Sequence, residues 1–338
     1  MSNTPEARGG QALDVNLMTG ENTRLDPVVA AFIADSDTVF TPAYDALPIV
    51  ERRAIYDAYW QRYHAARPDG VTVETIHIPA DGGTRRALLY RPPHSGMAGV
   101  ALPIVVYFHG GGWMLGSPES HDLPAARLCA EAEVAVLSLD YRLSPESVFP
   151  DALMDCLAAV NWVAGEGGRA AGLDPSRLAV AGDSAGANLA AGLCLWIRDH
   201  GGPNIRFQAL IYPALTAQVD PGNSVGVSPQ AVSQYLGAYF GGQELARNAY
   251  AMPLSAKSVA GLPPAFIATA ELDPILPHGL AYADRLRHAG IPCSYSCGLG
   301  LPHTYLRIVH VAEAASRELS ECCAAIRNAL AVQQSRAA

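Results

Sequence analysis

Apolar runs of strand length alternate with amphipathic segments through the middle of the chain. A strand buried on both faces reads as a short apolar run, whereas an amphipathic helix repeats its apolar positions every three to four residues. Between about residues 71 and 212 the pattern predicts six strands: Thr72–Pro79, Arg86–Tyr90, Ile104–Phe108, Val134–Leu139, Leu178–Gly182 and Phe207–Tyr212. Two more are expected near Ala265 and at Cys293–Cys297. This alternation predicts an α/β fold, with a mostly parallel sheet and helices on both faces.

Two segments depart from the alternation, and each is predicted to contain at least one helix. Before about residue 70, Asp26–Ile33 begins with an acid and a proline, and Leu47–Tyr63 has apolar residues at helical spacing. After Tyr212 the sequence becomes a polar loop, followed by a predicted helix at Pro229–Phe240. A closing amphipathic helix is predicted at Leu306–Leu330. The sequence contains no linker, low-complexity tract or internal repeat, so one domain with insertions is expected.

The pentapeptide Gly182-Asp183-Ser184-Ala185-Gly186 lies between the apolar run 178–181 and the helix-prone run 187–191. In this context the G-x-S-x-G pattern is typical of a nucleophile elbow, a sharp turn from strand to helix that exposes the serine hydroxyl. The flanking glycines permit the strained turn. The alternative is a chance match in a chain with 31 glycines, so a second motif is needed.

A glycine-rich loop, His109-Gly110-Gly111-Gly112, directly follows the predicted strand at Ile104–Phe108. Its backbone N–H groups are free to point into a cleft. Acyl transfer passes through an oxyanion, which N–H donors fixed in advance stabilise. We therefore predict an oxyanion hole formed by the N–H groups of Gly111, Gly112 and Ala185, the last being the residue after the serine. The alternatives are a flexible turn or a phosphate loop, but no G-K-[ST] or G-x-G-x-x-G pattern follows.

A nucleophilic serine needs a base and an acid that orients the base, in the chain order serine, acid, histidine for this type of turn. Asp273 follows the apolar segment near Ala265, where it would lie at the carboxyl end of a strand. Glu271 is the rival acid, and either carboxylate could instead be a loop acid or a helix N-cap. His303 lies in a Gly/Pro-rich loop further on, and His278 is the main alternative base.

Four strings together resemble a known family: His109–Trp113, Asp140–Glu146, Gly182–Gly186, and Glu271–Pro274 with His303 downstream. Their order and spacing from about residue 70 onward are similar to those of the hormone-sensitive-lipase-like branch of the α/β-hydrolases, the bacterial family IV esterases. The resemblance implies a capped α/β-hydrolase fold and a serine carboxylesterase. Because the family's acid stands directly before a proline, it also favours Asp273 over Glu271. It implies structural roles for His109 and Gly110.

The sequence departs from the family in two places. The family's acid motif usually continues with a charged segment, whereas Asp273 and Pro274 are here followed by Ile-Leu-Pro and then His278. His278 is therefore expected near the rim of the triad, as a replacement hydrogen-bonding partner. Thr304 and Tyr305 stand where Gly-Phe is frequent, which is expected to narrow or polarise the edge of the pocket.

The resemblance also implies a division of the chain. Residues 1–70 and 213–255 are expected to form cap segments, and 71–212 with 256–338 the two parts of the α/β-hydrolase core. An N-terminal helical pair packed on the edge of the sheet is the alternative for the first segment. Candidate substrate-pocket residues are Trp113, Leu115, Tyr235 and Tyr239.

Three charged residues close to these motifs are expected to be structural. Asp183 would lie at the N-terminal end of the elbow helix, where the helix dipole favours a carboxylate and loop amides can bind it. Arg142 and Glu146 are expected to form an internal ion pair or to brace their loop.

Composition limits the choice of partners and location. The net charge of −9 and the absence of a Lys/Arg cluster argue against nucleic acid. Seven scattered cysteines without C-x-x-C pairs predict reduced thiols in the cytoplasm, although Cys293 and Cys297 have the spacing of a bridge or half a metal site. Met1–Gly20 lacks the basic and apolar regions of a signal peptide, and the apolar run 178–197 contains the elbow, so no membrane association is expected. A homodimer is compatible with the sequence.

These observations predict a hydrolase of short- to medium-chain acyl esters that forms an acyl-enzyme and needs no metal or organic cofactor. One alternative is an amidase or arylformamidase that uses the same residues. The other is a non-catalytic small-molecule receptor, although Ser184, Asp273 and His303 are all present.

Overall fold

A computed structural model describes residues 25–93, 100–220 and 227–331. The prediction that concerns Met1–Gly20, the outer parts of the segments 1–70 and 256–338, and residues 221–226 of the segment 213–255 lie outside these residues. The centre of the molecule is one eight-stranded sheet with the order β1-β2-β4-β3-β5-β6-β7-β8. Its strands are β1 Thr72–Ala80, β2 Gly83–Arg91, β3 Leu102–Phe108, β4 Ala135–Leu139, β5 Leu173–Asp183, β6 Phe207–Ile211, β7 Ala265–Leu272 and β8 Cys293–Pro302.

The sheet is mostly parallel, as predicted. Strand β2 pairs antiparallel with both of its neighbours, and every pairing from β4 across to β8 is parallel. Because parallel strands need crossover connections, helices cover both faces. The helices are α1 Pro27–Val39, α2 Pro42–Asp45, α3 Ile49–Gln61, α4 Asp122–Ala132, α5 Asp151–Ala164, α6 Glu166–Ala170, α7 Ala185–His200, α8 Pro229–Phe240, α9 Leu276–His288 and α10 Glu313–Leu330.

The central strands are buried on both faces and separate two apolar clusters. Successive side chains of a strand point to opposite faces. On β3, Ile104 and Val106 therefore join the cluster with α5, α7 and α9, while Val105 and Tyr107 join the cluster with α4 and α10. Continuous apolar runs in the sequence reflect this burial on both sides. The sheet is thus a rigid layer whose carboxyl edge can hold functional loops.

Several predicted boundaries differ from the structure, and two of them lie close to His303. Strand β8 continues to Pro302, so the segment expected to be a loop is largely strand and His303 follows it directly. The closing helix begins only at Glu313, after a separate 3-10 turn at Tyr305–Ile308. The extended backbone of Ala312, with φ −106° and ψ 115°, interrupts helical hydrogen bonding between the two. An acid in the first turn of α10 complements the helix dipole.

Candidate active site

Ser184 occupies a sharp turn between β5 and α7. Its backbone has φ 53° and ψ −116°, a conformation that is strained for a residue with a side chain. The turn also requires close backbone approach on both sides. A Cβ on Gly186 would lie 1.9 Å from the carbonyl oxygen of Phe108, and one on Gly182 would lie 2.5 Å from the carbonyl carbon of Gly186. The elbow predicted from G-x-S-x-G is therefore present, and both glycines are sterically necessary.

Three side chains form one hydrogen-bonded chain at the carboxyl edge of the sheet. Nε2 of His303 lies 2.9 Å from Oγ of Ser184, and its Nδ1 lies 2.7 Å from Oδ2 of Asp273. Asp273 is fully buried, and its Oδ1 accepts a hydrogen bond from the backbone N–H of Ile275. The acid and the histidine follow the neighbouring strands β7 and β8, which brings them together. This arrangement orients the histidine toward the serine hydroxyl.

The two rival residues have other partners. Glu271 Oε2 accepts the backbone N–H of Gly300, 2.6 Å away, and so ties the end of β7 to β8. His278 Nδ1 accepts from the N–H of Leu215, which leaves Nε2 to donate to the carbonyl of Gln218. Burial lowers the pKa of His278, in agreement with this neutral form. His278 lines the cavity near the triad, but its hydrogen bonds brace the segment after β6 and reach no triad residue.

The glycine-rich loop surrounds the serine with backbone donors. Gly111 and Gly112 have φ +121° and +61°, which favours glycine at both positions. Within the described part of the chain, neither N–H donates a hydrogen bond to the protein. Ala185 is the first residue of α7, where N–H groups have no partner inside the helix. All three residues line the same cavity as Ser184.

The side chains of Asp183 and His109 hold the glycine-rich loop in place. Asp183 Oδ1 accepts from the hydroxyl of Tyr107 at 2.7 Å and from the N–H of Gly110 at 2.9 Å. Burial acts to raise the pKa of Asp183, but the charge of Arg307 and hydrogen bonds such as that from the hydroxyl of Tyr107 outweigh it and hold the pKa well below the usual range.

His109 stacks on Tyr141 with ring centroids 4.3 Å apart, and its Nδ1 donates to the carbonyl of Gly110. Burial, with His121 close by, lowers the pKa of His109 to about 3, so the ring is neutral. Asp183 and His109 therefore both contact the backbone of Gly110.

Three of the four predicted pocket residues line the cavity. Trp113, Leu115 and Tyr235 do so, whereas Tyr239 is not among the described residues that line it. Its ring stacks face to face on Trp113, with centroids 4.4 Å apart and planes 4° apart. Tyr239 lies one turn beyond Tyr235 on α8, so it packs behind the indole and supports it.

Both helical segments outside the regular alternation contribute to the cavity wall. Helices α1–α3 and the turn between α1 and α2 supply Ser36, Phe40, Tyr44, Asp45, Tyr56 and Trp60. The segment that ends in α8 supplies Val227, Ser228, Ala231, Val232, Tyr235 and Leu236. Helix α1 also contacts the edge strand β8. Part of the N-terminal segment therefore packs on the edge of the sheet.

Arg142 and Glu146 do not pair with each other. Arg142 binds Asp155 on α5, with Nη2 and Oδ1 2.8 Å apart. Glu146 binds Arg53 on α3 through two hydrogen bonds of 2.7 Å. Arg53 also donates to the carbonyl of Met114, so it connects the N-terminal helices to the loop after the glycines. Sequence analysis missed Arg53, because its partners lie 61 and 93 positions away.

The described ranges contain no group of three or more His, Cys, Asp or Glu side chains arranged to hold a metal ion. No helix within them is long and apolar enough to cross a membrane.

A serine, a histidine and an aspartate in hydrogen-bonded order, beside free backbone donors on a parallel sheet, define a serine-hydrolase type of site. Comparison with known proteins agrees. The model of a family with the α/β-hydrolase fold matches residues 105–307. Carboxylesterase NlhH of Mycobacterium tuberculosis is 38% identical over 238 residues, which are 68% of this chain and 74% of that protein. Esterase LipI of the same organism is 37% identical over 308 residues, 86% of this chain and 94% of the relative.

Solved structures show the same relationship. A Pyrobaculum calidifontis esterase superposes with a TM-score of 0.82 at 33% identity, covering 91% of this chain and all of that one. A thermostable esterase from Pseudomonas putida gives a TM-score of 0.85 at 28% identity, over 93% of this chain and all of that one. The chain belongs to the hormone-sensitive-lipase-like branch of the α/β-hydrolases and is a carboxylic-ester hydrolase.

Proposed function

We propose that Ser184, His303 and Asp273 are the catalytic triad of this esterase. The observation that carries the proposal is the distance of 2.9 Å between Oγ of Ser184 and Nε2 of His303. His303 takes the serine proton as the hydroxyl attacks the ester carbonyl, and then returns it to the leaving alcohol. Water activated by the same histidine hydrolyses the acyl-enzyme. Asp273 orients the ring and stabilises its protonated form; the cycle needs no metal or organic cofactor.

The backbone N–H groups of Gly111, Gly112 and Ala185 serve as the oxyanion hole in this mechanism. The N–H groups of the glycine-rich loop are held in place before the reaction, because Asp183 accepts a hydrogen bond from the N–H of the adjacent Gly110. Donors fixed in advance stabilise the charge that develops on the carbonyl oxygen without reorganising during the step.

The preferred substrates are short- to medium-chain acyl esters. The described parts of residues 1–70 and 213–255 form a cap over a core made of the described parts of 71–212 and 256–338, and the cavity walls supplied by α1–α3 and α8 support this division. Aromatic side chains such as Trp113 and Tyr235 crowd the space beside the serine. A capped and crowded cavity limits the length of the acyl chain that can reach the serine.

A series of p-nitrophenyl esters from acetate to laurate tests the proposal. We expect kcat/KM to peak at the short-chain end and to fall by roughly 10⁴-fold or more in Ser184→Ala, because the nucleophile is lost. Turnover that survives the substitution would contradict the role of Ser184. The corresponding p-nitroanilides, measured in parallel, distinguish an esterase from an amidase.

Location and assembly remain predictions. We propose a reducing, cytoplasmic location, which is supported by seven free cysteines, five of them buried. A homodimer is also proposed, and sedimentation velocity on the purified protein tests it.

A further inference from the structure

Arg307 is a buried guanidinium in the wall of the active-site cavity. It lies on the 3-10 turn four residues after His303, and only 5% of its surface is exposed. Its guanidinium carbon lies 4.5 Å above the ring of Trp60. Both side chains line the cavity that contains Ser184. A permanent positive charge is therefore held in an aromatic wall of the substrate site.

The hydrogen-bond partners of Arg307 are neutral. Nη2 donates to the hydroxyl of Tyr56 and to Nε2 of His121, each at 2.8 Å. A guanidinium has only donors, so this nitrogen of His121 must be unprotonated. The proton of the ring is then on Nδ1, which lies 3.0 Å from the hydroxyl oxygen of Ser120. Burial, together with the charge of Arg307, lowers the pKa of His121, which agrees with a neutral ring.

No carboxylate in the described part of the chain forms an ion pair with Arg307, unlike the other arginines near the cavity. Arg52 binds Asp45 and Arg53 binds Glu146. Asp183 interacts with Arg307 through its charge but forms no ion pair with it, and the nearer group to its Oδ1 is Nε2 of His121 at 3.4 Å. That carboxylate already accepts hydrogen bonds from Tyr107 and Gly110.

One nitrogen of Arg307 is left without a partner. Nη1 is buried and has no hydrogen-bond acceptor among the described residues. A buried donor left unsatisfied destabilises the free protein, and the cost is larger for a charged group. An acceptor that a ligand brings to this point removes that cost. The planar guanidinium of arginine matches the geometry of a carboxylate, as it does that of a phosphate.

We infer that Arg307 binds a carboxylate carried by the substrate. This inference rests on the proposed esterase function and names its substrate class: esters with a free carboxylate in the acyl or the alcohol part, such as half-esters of dicarboxylic acids. Hydrolysis adds water across the ester bond and leaves the second carboxylate unchanged. The aromatic wall excludes water around the guanidinium, which strengthens the contact.

Two pairs of substrates test the inference. For the acyl side, mono-p-nitrophenyl adipate is compared with its neutral methyl ester. For the alcohol side, p-acetoxybenzoate is compared with methyl p-acetoxybenzoate. We expect kcat/KM of the wild type to favour the carboxylate in at least one pair. Arg307→Met should reduce that preference by roughly 10- to 100-fold, the range for a hydrogen bond to a charged group, and Arg307→Lys should reduce it less.

The ratio within a pair, rather than the rate, is the deciding quantity, because Arg307 also holds Tyr56 and His121. Arg91→Met is the matched control: it removes the same charge from β2, where Arg91 binds Glu74, and it should leave the ratio unchanged. A wild type without preference for the carboxylate in either pair overturns the inference, even if no Arg307 variant folds. Turnover of neutral esters with no such preference leaves the esterase proposal intact, whereas failure to hydrolyse any ester contradicts that proposal.

Discussion

At the scale of single residues, two carboxylates two positions apart have different tasks. Asp273 leaves β7 toward the cavity and binds Nδ1 of His303. Glu271 faces the neighbouring strand and binds the N–H of Gly300. A carboxylate that orients the base contributes directly to the transition state, whereas one that ties two strand ends acts through the position of the loop.

Substitution of each carboxylate by its amide should separate these tasks. We expect Asp273→Asn to lower kcat by about 10³- to 10⁴-fold, because an amide cannot stabilise the protonated ring of His303. Glu271→Gln retains an oxygen acceptor for Gly300 and should stay within about tenfold of the wild type. Steady-state kinetics on p-nitrophenyl acetate checks both. The reverse order would assign the acid of the triad to Glu271.

At the scale of elements, the glycine-rich loop and helix α8 are in direct contact. A Cβ on Gly112 would lie 2.4 Å from Cγ of Tyr235, so this aromatic ring covers the glycine without space for a methyl group. The loop carries the proposed oxyanion donors, and α8 carries part of the cavity wall. Their contact makes the position of the donors depend on the packing of α8.

Alanine at Gly112 should therefore damage catalysis more than folding. We expect Gly112→Ala to lower kcat/KM by roughly 100-fold or more, because the methyl group displaces the loop and its N–H donors. Gly172→Ala is the control: its φ of +70° is similar, and a Cβ there meets nothing within 4 Å. Both variants should lose about 1–2 kcal/mol of stability from the backbone conformation. Equal activity of the two variants would contradict the role given to this contact.

The sequence predicted where helices and strands lie better than it predicted which of their side chains face the cavity. The strand ends before Ser184 and Asp273 were predictable because apolar runs mark them, whereas the end of β8 before His303 was not, because its last five residues are rich in glycine. Helix α8 was also predicted at Pro229–Phe240, but helical spacing could not tell that Tyr235 meets the cavity while Tyr239 packs behind Trp113. Arg307 escaped prediction because its partners Tyr56 and His121 are 251 and 186 positions away.

At the scale of the whole molecule, three neutral histidines are buried in or near the glycine-rich loop and the active-site cavity. His109 and His121 are fully buried, and His278 is 4% exposed. Burial is the largest cause of the lowered pKa in all three, and the charge of Arg307 lowers that of His121 further. Each ring gains a proton more readily in the unfolded chain than in the folded one.

This difference predicts that mildly acidic pH destabilises the protein through these histidines. An unfolded histidine has a pKa near 6.5, so below this pH the unfolded state binds more protons and the free energy of unfolding falls. Between about pH 7.5 and pH 5.5 the loss is about 1.4 kcal/mol for each histidine that stays neutral when folded. Carboxyls whose pKa is raised by burial, such as Asp140 and Glu318, oppose this trend as they gain protons in the folded protein.

Urea unfolding of the wild type and His278→Gln at these two pH values measures one share of this effect. Glutamine can replace both hydrogen bonds of His278 but does not titrate. The variant should be less stable than the wild type at pH 7.5, and the difference should shrink by about 1.4 kcal/mol at pH 5.5, because the variant no longer has a buried ring that resists protonation. A difference that stays constant or grows would mean that His278 becomes charged in the folded protein, and that its contacts with Leu215 and Gln218 do not require the neutral form.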